Sequence, residues 1–361
     1  MKNCIELKQL PALVLALGLA PAAVAQLGSF SVIDYPGGRF TWARGINDAG
    51  DIVGHYGDAS GKVHGYLLRA ARFTPIDFPG AVDTRAMDIN RAGDIVGIYF
   101  DPGGKTHGFL LSGGRFTTVD FPGADNTQVA GMNNKGEMVG MYFNNTGDTK
   151  HHSFLVSGGG ITAIPDAPGS DAMSCALDIN DEGKIVGHFN EGPTFRNRGY
   201  LFENGRHIPF NVPVPVQYHP WDATWGINSA GDMVGIYTDG RWKQKGYFLS
   251  KGNFAPFYVS GSTFTRALRV NESGQIVGMY QDADGVDHGF LTRVAPASRS
   301  QILTVDDDGA DCPGALRTIQ EAVAQAPAGA TIQVCPGIYL KSVTINGPEK
   351  NGLKLIAQGR E

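Results

Sequence analysis

The sequence predicts an all-β fold, a six-bladed β-propeller with four strands in each blade, and two observations support this prediction. The first is a motif, present in residues 90–97 as Asn-Arg-Ala-Gly-Asp-Ile-Val-Gly, that recurs along most of the 361-residue chain. Its six copies begin at Asn47, Asn90, Asn133, Asn180, Asn228 and Asn271. The copies start 43, 43, 47, 48 and 43 residues apart, and a period of this length indicates a repeat architecture.

The second observation is that each copy holds four short β-forming stretches separated by turn residues. In the second copy these are residues 84–89, 94–99, 107–111 and 116–121. Between the first two, the motif supplies an Asn, which tolerates unusual backbone angles, and a Gly, which adopts positive φ without steric cost; together they predict a tight hairpin. Four such strands in six copies predict six propeller blades. An open stack of β-units is the alternative, and the Gly, Pro and β-branched content excludes a helical solenoid.

The repeat also resembles a known family. Ile-Asn before the turn, Gly-Asp-Ile-Val-Gly after it, His-Gly-Phe-Leu-Leu and a Gly-rich turn are similar to the HAF repeats of secreted bacterial proteins, over residues 30–294. The triplet that begins the third strand has drifted from His-Ala-Phe, and its first residues are His64, His107, His152, Arg198, Lys245 and His288. The resemblance implies a secreted, propeller-like repeat protein and implies little about chemistry.

The first 25 residues predict a secretory signal peptide. Lys2 and Lys8 make the start of the chain weakly basic. Residues 10–20 are apolar, and Ala-Val-Ala at 23–25 is a small-residue cleavage site. The apolar run is too short to cross a bilayer. We therefore expect a monomer exported to the cell surface or medium, with the periplasm as the alternative. Removal of the signal moves the net charge from −5 to −6, which argues against nucleic acid as a partner.

The ends of the repeat region predict how the ring closes. Residues 30–34 form a lone strand of the fourth type, and the repeats end at a third-type strand, residues 288–291. We expect the first strand to complete the last blade, because closure removes exposed sheet edges.

A different composition begins after Val294. Residues 295–300 read as a linker, and a short helix is predicted over 315–326. Strands are predicted at 302–305, 331–334, 343–345 and 353–356. The Thr-Ile-Gln-Glu-Ala-Val run at 318–323 and the stretches 328–334 and 336–339 resemble the N-terminal cap of right-handed parallel β-helices of the pectin-lyase and pectin-methylesterase type. That resemblance implies a capping helix and the first rungs of such a solenoid over 301–361, with further rungs expected beyond Glu361.

The cysteines fit an exported protein. Cys312 and Cys335 bracket the predicted helix, and a disulfide between them is expected to stabilise the fold by about 3 kcal/mol. Cys175 lies in a predicted blade strand, where we expect a buried thiol.

Several candidate sites carry a simpler explanation. The blade histidines occupy one repeat position, and cations replace them in two copies, so we expect a structural role for them and not metal binding. Asp34, Asp77 and Asp120 each precede a Pro by two residues and are interpreted as turn-stabilising. Gly-Gly-Lys-Thr at 103–106 lacks the spacing and helix of a phosphate-binding loop. The acidic stretch at 306–311 is either a calcium site or a solvated turn; its calcium candidates are Asp306, Asp308 and Asp311. We expect no other cofactor.

Two groups of residues are candidates for ligand binding. Positions two before each repeat Asn would face the axis if the first strand is innermost, and the polar residues there are Asp88, Asp178 and Arg269. Aromatic residues gather around the enlarged fifth repeat: Tyr218, Trp221, Trp225 and Trp242. Such rings would suit stacking on sugars; the alternative is that a longer loop packs its own aromatic side chains.

The sequence shows no catalytic constellation, since the nucleophile elbow, the His-Glu-x-x-His and Cys-x-x-Cys motifs and the Rossmann glycines are all absent. We therefore expect extracellular binding of polysaccharide or another surface partner. The alternatives are a polysaccharide-active enzyme with its catalytic residues on rungs beyond Glu361, and a structural cell-surface protein.

Overall fold

In a computed structural model, the described residues are 28–192, 196–210, 222–239, 243–294, 302–306, 312, 315–326, 330–335 and 354–357. Contacts divide the chain into one unit that ends at Val294 and a second that contains the residues after it. In the described part of the chain no helix is long and apolar enough to cross a membrane.

The first unit contains six antiparallel sheets of four strands, as predicted. Its strands are β1 Ser31–Ile33, β2 Phe40–Ile46, β3 Ile52–Gly57, β4 Val63–Arg69, β5 Arg72–Ile76, β6 Asp83–Ile89, β7 Ile95–Phe100, β8 Thr106–Ser112, β9 Arg115–Val119, β10 Asn126–Met132, β11 Met138–Phe143, β12 His152–Ser157, β13 Gly160–Ala163, β14 Ser170–Ile179, β15 Ile185–Glu191, β16 Arg196–Glu203, β17 Arg206–Pro209, β18 Ala223–Ile227, β19 Met233–Thr238, β20 Gln244–Ser250, β21 Asn253–Phe257, β22 Phe264–Val270, β23 Gln275–Gln281 and β24 Asp287–Arg293.

The sheets form a closed ring around an axis. Neighbours within each sheet follow chain order, and the first strand of each blade contacts the first strand of the next, so β2, β6, β10, β14, β18 and β22 lie innermost. Strand β22 also contacts β2, which completes the circle. In the last blade β1 pairs antiparallel with β24, with Val32 opposite Phe290. The predicted closure of the ring by the first strand is confirmed.

The second glycine of the motif makes room for the aromatic core of each blade. A Cβ added to Gly97 would lie 2.1 Å from the carbonyl oxygen of Arg85 and 2.8 Å from the Phe109 ring. Phe109 and its equivalents in the other blades are fully buried; the equivalents are Tyr66, Phe154, Tyr200, Tyr247 and Phe290. Only Gly lets two strands and a large ring approach this closely, so the motif repeats the glycine in every blade.

The repeat asparagine joins neighbouring blades. Asn47 Oδ1 accepts hydrogen bonds from the backbone N–H groups of Ala49 and Asp51, and Asn47 Nδ2 donates to the Asn90 carbonyl oxygen of the next blade, at 3.1 Å. The same inter-blade bond is made by Asn133, Asn180, Asn228 and Asn271. Positive φ falls on Gly50, not on Asn47. The motif therefore needs Asn for a side chain that both donates and accepts, and not for the backbone angle that the sequence suggested.

The blade histidines lie between two carboxylates. His64 Nδ1 is 2.7 Å from Asp77 and its Nε2 is 3.3 Å from Asp58, and its ring stacks on Tyr56. The same arrangement holds at His107, His152 and His288. In the two remaining blades Arg198 and Lys245 pair with a carboxylate instead. This geometry agrees with a structural role for the histidines.

The carboxylates that hold the histidines include three residues with a different predicted role. Asp34, Asp77 and Asp120 contact the Nδ1 atoms of His288, His64 and His107. Their interpretation as turn-stabilising side chains is therefore corrected, because their carboxylates are directed to a strand neighbour and not to their own turn.

The second unit is small. Strands β25 (Ile302–Val305), β26 (Thr331–Val334) and β27 (Lys354–Ala357) form a parallel sheet in chain order. Helix α1 (Ile319–Gln325) starts later than predicted because Thr318 and Glu321 form a capping box. The predicted disulfide joins Cys312 to Cys335. This small sheet is what the described residues show, and a β-helix is not evident from them; the strand predicted at 343–345 lies outside the described residues.

Candidate functional site

A β-bulge in every innermost strand determines which side chains reach the axis. In β2 the pairing with β3 shifts between Ala43 and Gly45, which leaves Arg44 as the extra residue. The other five innermost strands shift at the equivalent point. A bulge re-aims side chains at such a site. As a result, the extra residues Arg44, Met87, Ala130, Leu177, Trp225 and Leu268 border one cavity at the axis.

The three polar residues predicted at the axis lie together there. Glycine and a charged residue alternate around the ring: Gly45, Asp88, Gly131, Asp178, Gly226 and Arg269. A Cβ added to Gly45 would lie 2.7 Å from the Cα of Asp88, and Gly131 is equally close to Asp178. The glycines thus make room for the charged residue of the next blade.

The Arg269 side chain fills the centre of the ring and bonds to the surrounding blades. Its guanidinium donates to the carbonyl oxygens of Trp225 at 2.6 Å, Leu268 and Leu177 at 2.9 Å, and Ala130 at 2.5 Å. Its Nε lies 3.4 Å from Asp88 and 3.6 Å from Asp178. The two carboxylates in turn accept backbone N–H groups of Met132 and Ile227. We name Asp88, Asp178 and Arg269 the axial plug; its bonds join five of the six blades.

The electrostatics of the axial plug follow from its burial. Burial raises the pKa of Asp88, against the opposing pull of Arg269. Burial also raises the pKa of Asp178 to about 7; Arg269 opposes this and the neighbouring Asp88 carboxylate adds to it. The Asp178 and Asp88 carboxylates raise the pKa of Arg269, although burial opposes them.

One mouth of the axis lies on the side of the repeat hairpins. Its cavity of about 60 Å³ is bordered by the repeat asparagines and by the residues that follow them; the latter are Asp48, Arg91, Asn134, Asp181, Ser229 and Glu272. Arg91 pairs with Asp48 at 2.8 Å. This volume admits a few water molecules and is too small for a sugar ring.

The opposite side of the plug carries three arginines on aromatic rings. The Arg44 guanidinium lies 5.3 Å from the ring centroids of both Trp42 and Trp225, which come from different blades. Arg85 lies over Phe100 and Arg266 over Phe264, at 5.0 and 4.9 Å. We name this region the axial funnel, defined by Trp42, Arg44, Arg85, Trp225 and Arg266. Cation–π contacts hold such guanidinium groups in fixed orientations.

Arg44 is a cation for which the described residues supply no compensating carboxylate. Burial lowers its pKa to about 9, and repulsion from Arg269, Arg85 and Arg266 adds to the effect. Burial also lowers the pKa of Arg85 and of Arg266, but Asp83 and Asp287 oppose it there. Within the described residues the buried Nε of Arg44 has no hydrogen-bond partner, and Nη2 contacts the sulfur of Met87 at 3.4 Å. Such an arrangement favours an anion in the funnel.

Of the aromatic residues predicted to bind a ligand, only Trp225 is among the described residues. It lies in the axial funnel and is half-buried, and its indole N–H has no hydrogen-bond partner among the described residues. Tyr218, Trp221 and Trp242 lie outside the described residues. In the calcium candidate, Asp306 is buried and accepts the Cys312 N–H at 2.6 Å, while Asp308 and Asp311 lie outside the described part. No group of three potential metal ligands occurs where the structure is described.

The arginines of the funnel were not predicted from the sequence. Arg44, Arg85 and Arg266 do not stand at repeated polar positions, and the position of the bulge cannot be read from the motif. A signal was nevertheless present: Arg85 and Arg266 are both five residues before a repeat Asn, where Trp42 also stands.

No protein-family model and no curated protein matches the chain. Similar solved structures include an arginine-to-alanine triple mutant of AofleA from Arthrobotrys oligospora, at 12% identity and a TM-score of 0.49, over 73% of this chain and 86% of that one. Another is the six-bladed fucose-recognising lectin of Aleuria aurantia, at 13% identity and 0.41, over 71% and 92%. A third is TolB from Acinetobacter baumannii, at 11% and 0.44, over 66% and 63%. At these values the likeness concerns the general fold, which the strand order establishes independently.

Proposed function

We propose that this protein is an exported, non-catalytic binding protein whose axial funnel binds an anionic group of an extracellular polysaccharide. The observation that carries the proposal is Arg44, a partly buried cation that stands between two tryptophan rings and has no carboxylate partner in the described part of the chain. Export is proposed from the signal-like first 25 residues.

The unpaired charge of Arg44 costs the folded protein free energy. A buried cation without a partner destabilises a fold, and natural proteins normally pair it. Here a bound anion would remove the cost, because the planar guanidinium matches carboxylate and sulfate oxygens in a bidentate geometry. Trp42 and Trp225 add flat apolar surface beside the charge, which suits the C–H face of a sugar.

The test compares acidic and neutral polysaccharides. Retention of the full chain on immobilised polygalacturonate, heparin and dextran is measured at low and at high salt. We expect retention on at least one acidic matrix, none on dextran, and loss with Arg44→Met. Arg91→Met, which removes the same charge from the opposite mouth, is the matched control and should be retained like the parent. Equal retention of both variants would contradict the proposal.

We also propose that residues 301–361 begin a right-handed parallel β-helix. Three strands that follow each other in the chain pair in parallel and in register, Ile302 with Thr331 and Thr331 with Lys354, and α1 packs on the same core as β25 and β26. This arrangement favours the polysaccharide-active enzyme as a second candidate function, with the propeller as its binding module. An experimental structure that showed left-handed crossovers between these strands would refute the β-helix.

A further inference from the structure

The strand that closes the ring buries little of its own surface. β1 has three residues, of which only Ile33 is buried. Beyond the pairing with β24, the Gly28 N–H donates to the Arg293 carbonyl oxygen at 2.8 Å, and the Phe30 ring contacts the ring of Phe290. Segments with few buried apolar contacts open at a lower free energy than the rest of a fold. The junction of β1 with β24, which we name the seam, is therefore a place where the ring opens without unfolding as a whole.

One histidine links the two sides of the seam. His288 lies in β24, and its Nδ1 is 2.9 Å from Oδ1 of Asp34, the residue that follows β1. Its Nε2 is 3.2 Å from Oδ2 of Asp282, in the turn before β24, and its ring stacks on that of Tyr280 in β23 at 5.1 Å. His288 and Asp34 are 254 residues apart in the sequence. Their contact therefore joins the first strand of the ring to its last hairpin.

The contacts of His288 depend on its protonation state. An imidazolium donates from both ring nitrogens and satisfies both carboxylates, whereas a neutral imidazole has one N–H and turns a lone pair towards a carboxylate oxygen. Burial lowers the pKa of His288, but Asp34 and Asp282 outweigh this effect and raise the pKa above its ordinary value. Burial also raises the pKa of Tyr280, so this third titratable neighbour stays neutral. Whichever nitrogen keeps its proton, the neutral ring no longer forms an ion pair with Asp34.

We propose that His288 is a pH-sensitive latch on the seam: in its protonated form it holds β1 against β24, and in its neutral form it lets β1 open more often. The contribution of the latch to stability is complete below the ordinary pKa of histidine, about 6.5, and is lost as the pH rises through the raised pKa of the folded protein. The Asp34 side chain is 50% exposed, so solvent weakens the ion pair, and we expect a change of about two- to fivefold in the opening equilibrium.

The remaining contacts limit how far the seam opens. The Tyr35 ring, next to Asp34 in the chain, stacks on the Tyr56 ring of blade one at 3.5 Å and contains no group that titrates with the histidine. The closing strand therefore loosens at its start and stays attached at its end. A loosened β1 exposes the edge of β24, and such unpaired edges are the places where another chain adds a strand.

The test is hydrogen exchange of the full chain, read by mass spectrometry at about pH 5.5 and about pH 8, on either side of the histidine pKa, and corrected for the intrinsic rates. The reference is β21 of blade five, where Lys245 replaces the histidine. It removes changes that all blades share, such as the titration of Asp178. We expect the protection of residues 28–35, relative to β21, to fall about two- to fivefold at the higher pH. His288→Gln is neutral throughout and should show the lower protection at both pH values.

His107→Gln is the matched control. His107 lies between Asp101 and Asp120 in the same geometry, but all three residues belong to blade two, so this variant should keep the pH dependence of residues 28–35. Asp34→Asn removes the carboxylate on the β1 side and should reduce that dependence. Relative protection of residues 28–35 that is the same at both pH values would overturn the latch. So would a pH dependence that His288→Gln retains in full, or one that His107→Gln abolishes.

Discussion

Replacing Arg44 by Met is expected to stabilise the folded protein. Met retains most of the length of the side chain and its contact with the two tryptophan rings, but removes a partly buried cation that three other arginines repel. Residues kept for binding often destabilise the fold that carries them, so a stabilising substitution at this position would mark Arg44 as functional.

The magnitude follows from the pKa of Arg44. Its decrease from 12.5 to about 9 corresponds to an upper bound of about 5 kcal/mol, at 1.36 kcal/mol for each unit. The lost cation–π interactions with Trp42 and Trp225 offset about 0.5–1 kcal/mol each. Solvent that reaches the partly exposed group reduces the cost further. We therefore expect a net gain of about 2 kcal/mol in the free energy of unfolding, which corresponds to roughly 4–8 °C in melting temperature.

The assay is urea denaturation followed by tryptophan fluorescence, together with differential scanning calorimetry at pH 7. Arg44→Lys, which keeps a charge there, should gain less than Arg44→Met, and Arg91→Met at the exposed ion pair with Asp48 should change stability by less than about 0.5 kcal/mol. A destabilised Arg44→Met protein would refute the reasoning, because it would show that Arg44 is already compensated in the absence of ligand.

Three further predictions concern the ring and its plug. Arg269→Met is expected to cost about 3–5 kcal/mol in urea denaturation, since it leaves two buried carboxylates without their cation and several carbonyl oxygens without their donor; a loss below 1 kcal/mol would contradict this role. Asp178 has a pKa of about 7 in the folded protein, above its value in the unfolded chain, so its contribution to stability is complete below pH 4 and disappears as the pH rises through 7. Asp178→Asn should therefore flatten the pH dependence of the melting temperature between pH 4 and pH 7. An unchanged pH profile would contradict this assignment to Asp178. Deletion of residues 30–35 should lower the melting temperature sharply because it removes β1 from the last blade, whereas a negligible shift would mean that the ring closes without it.

The sequence by itself determined the architecture of the propeller. The motif period set the number of blades, and the four β-forming stretches of each copy set the order of strands within a blade, because both depend on local turns and on pairing between consecutive strands. The closing strand was predicted from a lone strand of the fourth type at the start of the repeats. The disulfide was predicted from two cysteines that bracket the predicted helix. Likewise, the exchange of His for Arg198 and Lys245 was sufficient to predict a structural role for the blade histidines.

Only the tertiary structure decided which side chains meet at the axis. The bulge before Gly45 adds one residue to the strand and thereby directs Arg44 to the axis, and nothing in the motif marks that shift. Ring closure then brings Trp42 within 2.9 Å of Asp287, 245 residues away in sequence. The charge balance of the funnel depends on such distant pairs. A period of about 43 residues is thus visible in the sequence, whereas the lack of a carboxylate partner for Arg44 among the described residues becomes visible only when all six blades are in place.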